Sequence, residues 1–316
     1  MKMNIYIIGF LSLLLTACSS DDIPVGDNFD TKNITLSFQV NSFVKGSLKS
    51  ATDNGSIDEQ AIENLYVFLF PTSGTQTFKS YYISSVSFTG GSWNSTDNKV
   101  SLNLTQAEAG NRNVYVVANC SSVLKTSLDG ISTIAELQTA LQSNETPWSA
   151  ILTTPILMSG NKTHNFNTNY QLNNVLLIRA VAKVQLNVTL TSVHQGKPLS
   201  GEGGSDHYKY KFINFDKDTY VLKPTSKPDN LTSSSAWVSW NDAITSYTLD
   251  SSGKVTNLTL KTYLNERDNA GTSIELSLPY FDGGFLPPPE FGDETYKLQL
   301  PAKIERNNWY VYDVEI

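Results

Sequence analysis

Short runs that either alternate apolar with polar residues or are apolar throughout, separated by Gly, Ser, Asn and Asp, restrict this chain to an all-β fold. Ile34-Thr35-Leu36-Ser37-Phe38-Gln39-Val40 places four apolar side chains on one face and three polar ones on the other, the period of a half-buried strand. Val184, Leu186, Val188 and Leu190 repeat that pattern. Leu65-Tyr66-Val67-Phe68-Leu69-Phe70 is apolar without a break and closes on Pro71, as a strand buried on both faces does. Strands are further expected over 81–88, 100–104, 113–117 and 156–158, along one long run 175–190, and over 208–215, 236–240, 258–263, 273–278, 296–300 and 309–316. Residues 45–60 read as a polar loop. Helix is scarce: Thr133 and Glu136 have capping-box spacing, and Ile134, Leu137 and Leu141 share a face. Strands this short and this frequent predict two β-sandwich domains in tandem, with one or two short helices in the first.

The first 33 residues stand apart. Met1–Ala17 combines Lys2, an apolar stretch from Ile5 to Leu15 and small residues before Cys18, the parts of a secretory signal. The stretch is shorter than the roughly 20 residues a membrane-spanning helix needs. Leu15-Thr16-Ala17-Cys18 resembles a lipobox, which makes Cys18 the expected lipidation site and the outer membrane an expected partner. Residues 18–33 form a polar tether with Asp21 and Asp22 near its start, an arrangement that resembles a surface-export signal. The remainder is more than one core usually serves, and divides into expected domains 34–172 and 173–316.

Composition excludes several functions. The formal net charge is −7 with no basic cluster, which argues against nucleic acid as a partner. With Cys18 acylated, Cys120 is the single remaining thiol, so no internal disulfide forms and each domain relies on an apolar core. Val116-Val117-Ala118-Asn119-Cys120 marks that cysteine as buried and structural. His164, His194 and His207 lack spaced partners for a metal or a catalytic triad and read as surface-loop histidines. No cofactor, metal site or enzyme activity is expected. Trp93, Trp148, Trp237 and Trp240 are candidate platforms for sugars, but Trp237 and Trp240 are three apart on a strand, so one faces in and one out. Trp309 is expected in the second core.

The lipobox start, Leu65–Phe70, Asn113-Val114-Tyr115-Val116-Val117-Ala118-Asn119, Ile178-Arg179-Ala180-Val181-Ala182-Lys183-Val184 and Arg306-Asn307-Asn308-Trp309-Tyr310-Val311-Tyr312 occur in an order that resembles the fimbrillin family, subunits of type V pili of Bacteroides-like bacteria. The resemblance implies two transthyretin-like sandwiches and assembly by strand exchange. A protease removes the lipidated first strand, and a strand of another fimbrial subunit fills the groove. Ile34, Leu36, Phe38 and Val40 are then the apolar positions of a removable edge strand. The family is cut after Arg, yet the first arginine here is Arg112, so the candidate processing sites are Lys45 and Lys49. Stalk members carry donor strands beyond the closing strand, whereas this sequence stops at Ile316. The alternative is an anchor or free-standing surface lipoprotein that binds glycan or protein on host or bacterial cells without polymerising.

Overall fold

The computed structural model describes residues 32–45, 52–143, 155–198, 207–240, 244–281 and 291–316. Strands dominate it; the larger sheets fall into two systems, and two short ladders, Leu141–Ser143 with Asp218–Tyr220 and Phe215–Asp216 with Leu231–Thr232, stand beside them.

The first is a nine-stranded sheet folded over one core. Its order runs Lys79–Ile83, Leu65–Pro71, Asn111–Ala118, Met158–Asn165, Gln171–Arg179, Asn33–Val40, Lys99–Thr105, Gly91–Asn94 and Ser87–Phe88. Among the described residues two pairs, Met158 with Arg179 and Ser159 with Ile178, join its halves, which lets the sheet close on itself. Gly160 sits at this corner because an added Cβ would lie 2.1 Å from the Leu176 carbonyl oxygen. Between the halves Ile34, Leu36 and Phe38 pack with Leu65, Val67, Val100, Leu102, Val116 and Leu177. The apolar run 65–70 is buried on both faces, as its composition requires. Tyr66, Phe68 and Phe70 pack on the outside against Leu124, Leu128 and Leu137 of two helices, Ser122–Asp129 and Ile134–Thr139.

Four short helices occur among the described residues of this half, where one or two are expected from sequence. Ile57–Gln60 and Gln106–Ala109 are single turns closed by capping boxes, Ser56 with Glu59 and Thr105 with Glu108. A turn that short has no apolar periodicity, so its cap is its whole signal.

The second system pairs a six-stranded sheet with a four-stranded one across a separate core. The larger runs Thr245–Leu249, Val255–Asn265, Val181–Thr189, Asn308–Glu315, Phe43–Lys45 and Thr52–Asp53; the smaller runs Val238–Ser239, Lys209–Ile213, Ser273–Phe281 and Phe291–Gln299. Val184, Leu186 and Val188 meet Tyr210, Phe212, Ile274 and Leu276 in the middle. The single long strand expected over 175–190 divides at Ala180: residues 171–179 belong to the first sheet and 181–189 to the second. Ala180 is fully buried, and its carbonyl accepts from the Thr219 hydroxyl at 2.9 Å, which fixes the chain where it changes sheets.

Several side chains differ from expectation. His194 is buried: Nδ1 lies 2.8 Å from the Pro279 carbonyl and Nε2 2.8 Å from the Tyr296 hydroxyl, so it works as a core polar group. Trp309 is not in the second core; it stands half-buried on the outer face, with Lys45 and Lys183 Nζ 5.7 and 5.6 Å from its ring. Its neighbours Tyr310, Tyr312 and Val314 take the inward positions. Trp240 is buried and Trp237 half-exposed under Lys211, the split that their spacing requires. Cys120 is buried, and burial pushes its thiol up to about 11. Trp148 lies outside the described residues.

Candidate functional site: the opening strand and its slot

The opening strand, Asn33–Val40, is not at an edge. It runs parallel to Gln171–Arg179 on one side and antiparallel to Lys99–Thr105 on the other. The second neighbour is there because Val100, Leu102 and Leu104 alternate inward in step with Ile34, Leu36 and Phe38, so one core buries both strands. Both backbone edges are consequently satisfied, which an edge strand cannot achieve. Thr35 N–H donates to the Tyr170 carbonyl at 2.9 Å, Phe38 N–H to Asn98 at 3.1 Å and Asn41 N–H to Leu177 at 2.8 Å. Ile34, Leu36 and Phe38 are buried and Val40 is half-buried. Each fully buried side chain of this size contributes about 1.5–3 kcal/mol, so side chains and ladder together hold the strand.

After Asn41 the chain leaves the first sheet and enters the second. Phe43–Lys45 pairs in parallel with Asn308 and Trp309 at the start of the closing strand, Asn308–Glu315. Lys45, expected in an open loop, is the end of this strand. The burial of Phe43, with the Arg179 guanidinium 4.1 Å from its ring, pins the segment in place. Lys49 and Cys18 lie outside the described residues.

Arg179 is the hub of this crossing. It takes the last inward position of its strand, after Leu172, Val175 and Leu177, and is fully buried. Its Nε donates to the Glu59 carbonyl at 2.8 Å. One terminal nitrogen donates to the Asn41 carbonyl at 2.6 Å and Asn307 Oδ1 at 3.2 Å, and the other to the Asn54 carbonyl at 3.0 Å. Asn307 in turn donates from Nδ2 to the Ser42 carbonyl at 2.6 Å. One planar fork thus binds the exit of the opening strand to both sheets. Arg179 carries no motif beyond sitting at an apolar position of an alternating strand, which is a usable sign of a buried structural charge. Arg112, the first arginine, is buried too, donating to the carbonyls of Leu69, Thr77 and Glu108.

Beside Arg179 lies a carboxylate pair. Glu59, almost fully buried, accepts from Ser56 N–H at 2.6 Å, from Lys183 Nζ and from the Tyr263 hydroxyl; Asp53 shares Lys183 at 3.0 Å. Burial pushes Glu59 up, but the hydrogen bonds from Tyr263, Ser56 N–H and Lys183 outweigh it and hold the carboxyl below its ordinary 4.5. Asp53 behaves alike: burial opposes, and Gly55 N–H with Lys183 prevails. A group whose folded value is depressed adds stability that is complete above its unfolded value and lost as pH falls through the folded one. The crossing will therefore weaken on acidification from about pH 4.5 downward. Glu59→Gln will flatten that acid limb in urea unfolding midpoints taken across the range; an unchanged limb would assign it to other carboxylates.

The comparisons with known proteins agree with one another. Residues 34–207 match the family described as "Major fimbrial subunit protein (FimA)", and residues 180–315 match "Minor fimbrium tip subunit MfA4, C-terminal". Over its whole length the chain is 46% identical to the minor fimbrium tip subunit MfA4 of Porphyromonas gingivalis, covering 99% of that protein. The tip fimbrial protein Mfa3 of the same species is 13% identical with a TM-score of 0.50, covering 89% of this chain and 94% of that one. A cell-adhesion candidate from Parabacteroides distasonis is 14% identical with a TM-score of 0.54, covering 90% and 89%, and one from Bacteroides eggerthii is 18% identical at 0.53, covering 92% and 88%. These three share the fold. On the family match and the full-length relative, the chain belongs to the fimbrillin family of fimbrial subunits.

Proposed function

We propose that this protein is a terminal subunit of a cell-surface fimbria, built as two sandwich domains that meet at Ala180, whose opening strand holds a slot for a strand of the next subunit. The observation that carries the reading is the strand's position. Asn33–Val40 fills a gap between Gln171–Arg179 and Lys99–Thr105, with Ile34, Leu36 and Phe38 in the core. Without it, two strand edges and three apolar pockets face each other across one strand width, a receptor for any segment of matching alternation. The closing strand is not the donor: its residues 309–315 pair with residues 183–189, so its backbone is engaged at home. The 46% identical relative is itself described as a minor fimbrium tip subunit. Lipid on Cys18 tethers the precursor to the outer membrane, and the protein acts by binding other subunits and surface ligands, not by catalysis.

Processing at Lys45 requires Phe43–Lys45 to leave the closing strand first, because proteases bind their substrates extended and unpaired. The test is the mass and amino-terminal sequence of the protein recovered from fimbriae. A product starting after Lys45 or Lys49, in a polymer that heat dissociates, is expected. Fimbrial protein that keeps acylated Cys18 and residues 34–40 would overturn strand replacement. It would favour a permanently tethered surface lipoprotein.

A further inference from the structure

Phe215–Asp216 pairs with Leu231–Thr232, and the chain between them makes a long excursion to the first half, where Asp218–Tyr220 pairs with Leu141–Ser143 and Val221 packs against the helices. Lys227, on the returning side, brings its Nζ to 2.7 Å from Asp216 Oδ2, and both side chains have zero exposure. The contact is short but misaligned: Nζ reaches hydrogen-bond geometry with no acceptor. The Asp216 carboxyl is instead polarised by backbone donors, Asp218 N–H to Oδ1 at 2.9 Å and Asn230 N–H to Oδ2 at 3.4 Å. A second carboxylate, Asp218, stands on the same turn with a buried Oδ1 that has no partner. Lys227 is the one fully enclosed lysine side chain among the described ion pairs; the others face Asp or Glu with their ammonium groups partly in water.

We propose that Lys227 and Asp216 condense spontaneously into an internal amide that seals this excursion. Two ions held together out of water are expensive unless fully hydrogen-bonded, and a single proton moved from Nζ to Oδ2 turns them into an amine and a carboxylic acid. The Nζ lone pair then attacks Cγ and forms the C–N bond. The oxyanion that develops on Oδ1 is met by the Asp218 N–H, the donor already aimed at it. The C–O bond to the protonated Oδ2 breaks, and the departing hydroxyl takes one of the two remaining Nζ protons to leave as water. Atoms balance without an oxidant or co-reactant: amine plus acid gives amide plus water. In bulk water that equilibrium favours the separate groups. Here water is excluded, and effective concentrations for well-placed groups reach on the order of 10⁵–10⁸ M. The product also replaces two buried charges by one neutral group.

The test is a peptide map of the protein purified folded, digested after denaturation and read by mass spectrometry. The expected result is a branched peptide joining the segment that holds Asp216 to the one that holds Lys227, lighter than the sum of the two by one water. Lys227→Arg, which keeps the charge but cannot form this bond, will give linear peptides only. Recovery of all wild-type Lys227 in linear peptides would overturn the proposal, whatever the variant does. Strand processing at the other end of the chain leaves this map unchanged, so the two ideas fail separately.

Discussion

Phe38→Ala will lower the free energy of unfolding by about 3–5 kcal/mol, the cost of emptying a large aromatic pocket that cannot collapse. Phe38 is buried between Val175 and Leu177 on one side and the Lys99–Thr105 strand on the other, in a strand that bonds to both. Its neighbour Ser37 faces outward and bonds Asn173 and Asn174 near the surface, so Ser37→Ala will stay within about 0.5 kcal/mol. Guanidinium unfolding of the pair gives the comparison. If the opening strand is a placeholder, Phe38→Ala will also speed its release and raise the rate at which Lys45 is cut. Equal effects from Phe38 and Ser37 would mean that side-chain burial does not hold the strand.

Arg179→Ala will cost a similar amount, about 3–5 kcal/mol, because it leaves a buried carboxylate network without one cation and several buried carbonyls without donors. Arg179→Lys will rescue little. One ammonium cannot reach Glu59, Asn41, Asn54 and Asn307 acceptors that a planar fork spans. Full recovery by lysine would show that charge alone matters at the crossing.

Much of this fold was legible from side-chain period. Ile34–Val40 and 184–190 alternate, and their apolar members are the ones found in the cores. The run 65–70 reads as doubly buried and is, with one face on the sandwich and the other under helices. Periodicity stops at questions of pairing. It tells that residues 34–40 form a strand with one wet face, but not whether a second strand flanks it, because edge and interior strands share the same alternation. It cannot locate the break at Ala180 either, since residues 175–190 stay strand-like across a change of sheet. The roles of Phe43 and Arg179 escaped for another reason: Phe43 is ordinary locally and Arg179 shows only a charge at an apolar position, and what they do arises only when chain segments over a hundred residues apart meet.

The closing strand lies parallel to Val181–Thr189 along seven residue pairs and parallel to Phe43–Lys45 at its start. A pull applied between Ala180 and the carboxy-terminal end of that strand acts along the strand axis, on evenly spaced, slanted hydrogen bonds that all cross it. Bonds loaded in this way shear together, whereas an antiparallel hairpin pulled from its open end unzips one bond at a time. The parallel register thus gives the second sheet a mechanical strength that its equilibrium stability does not measure.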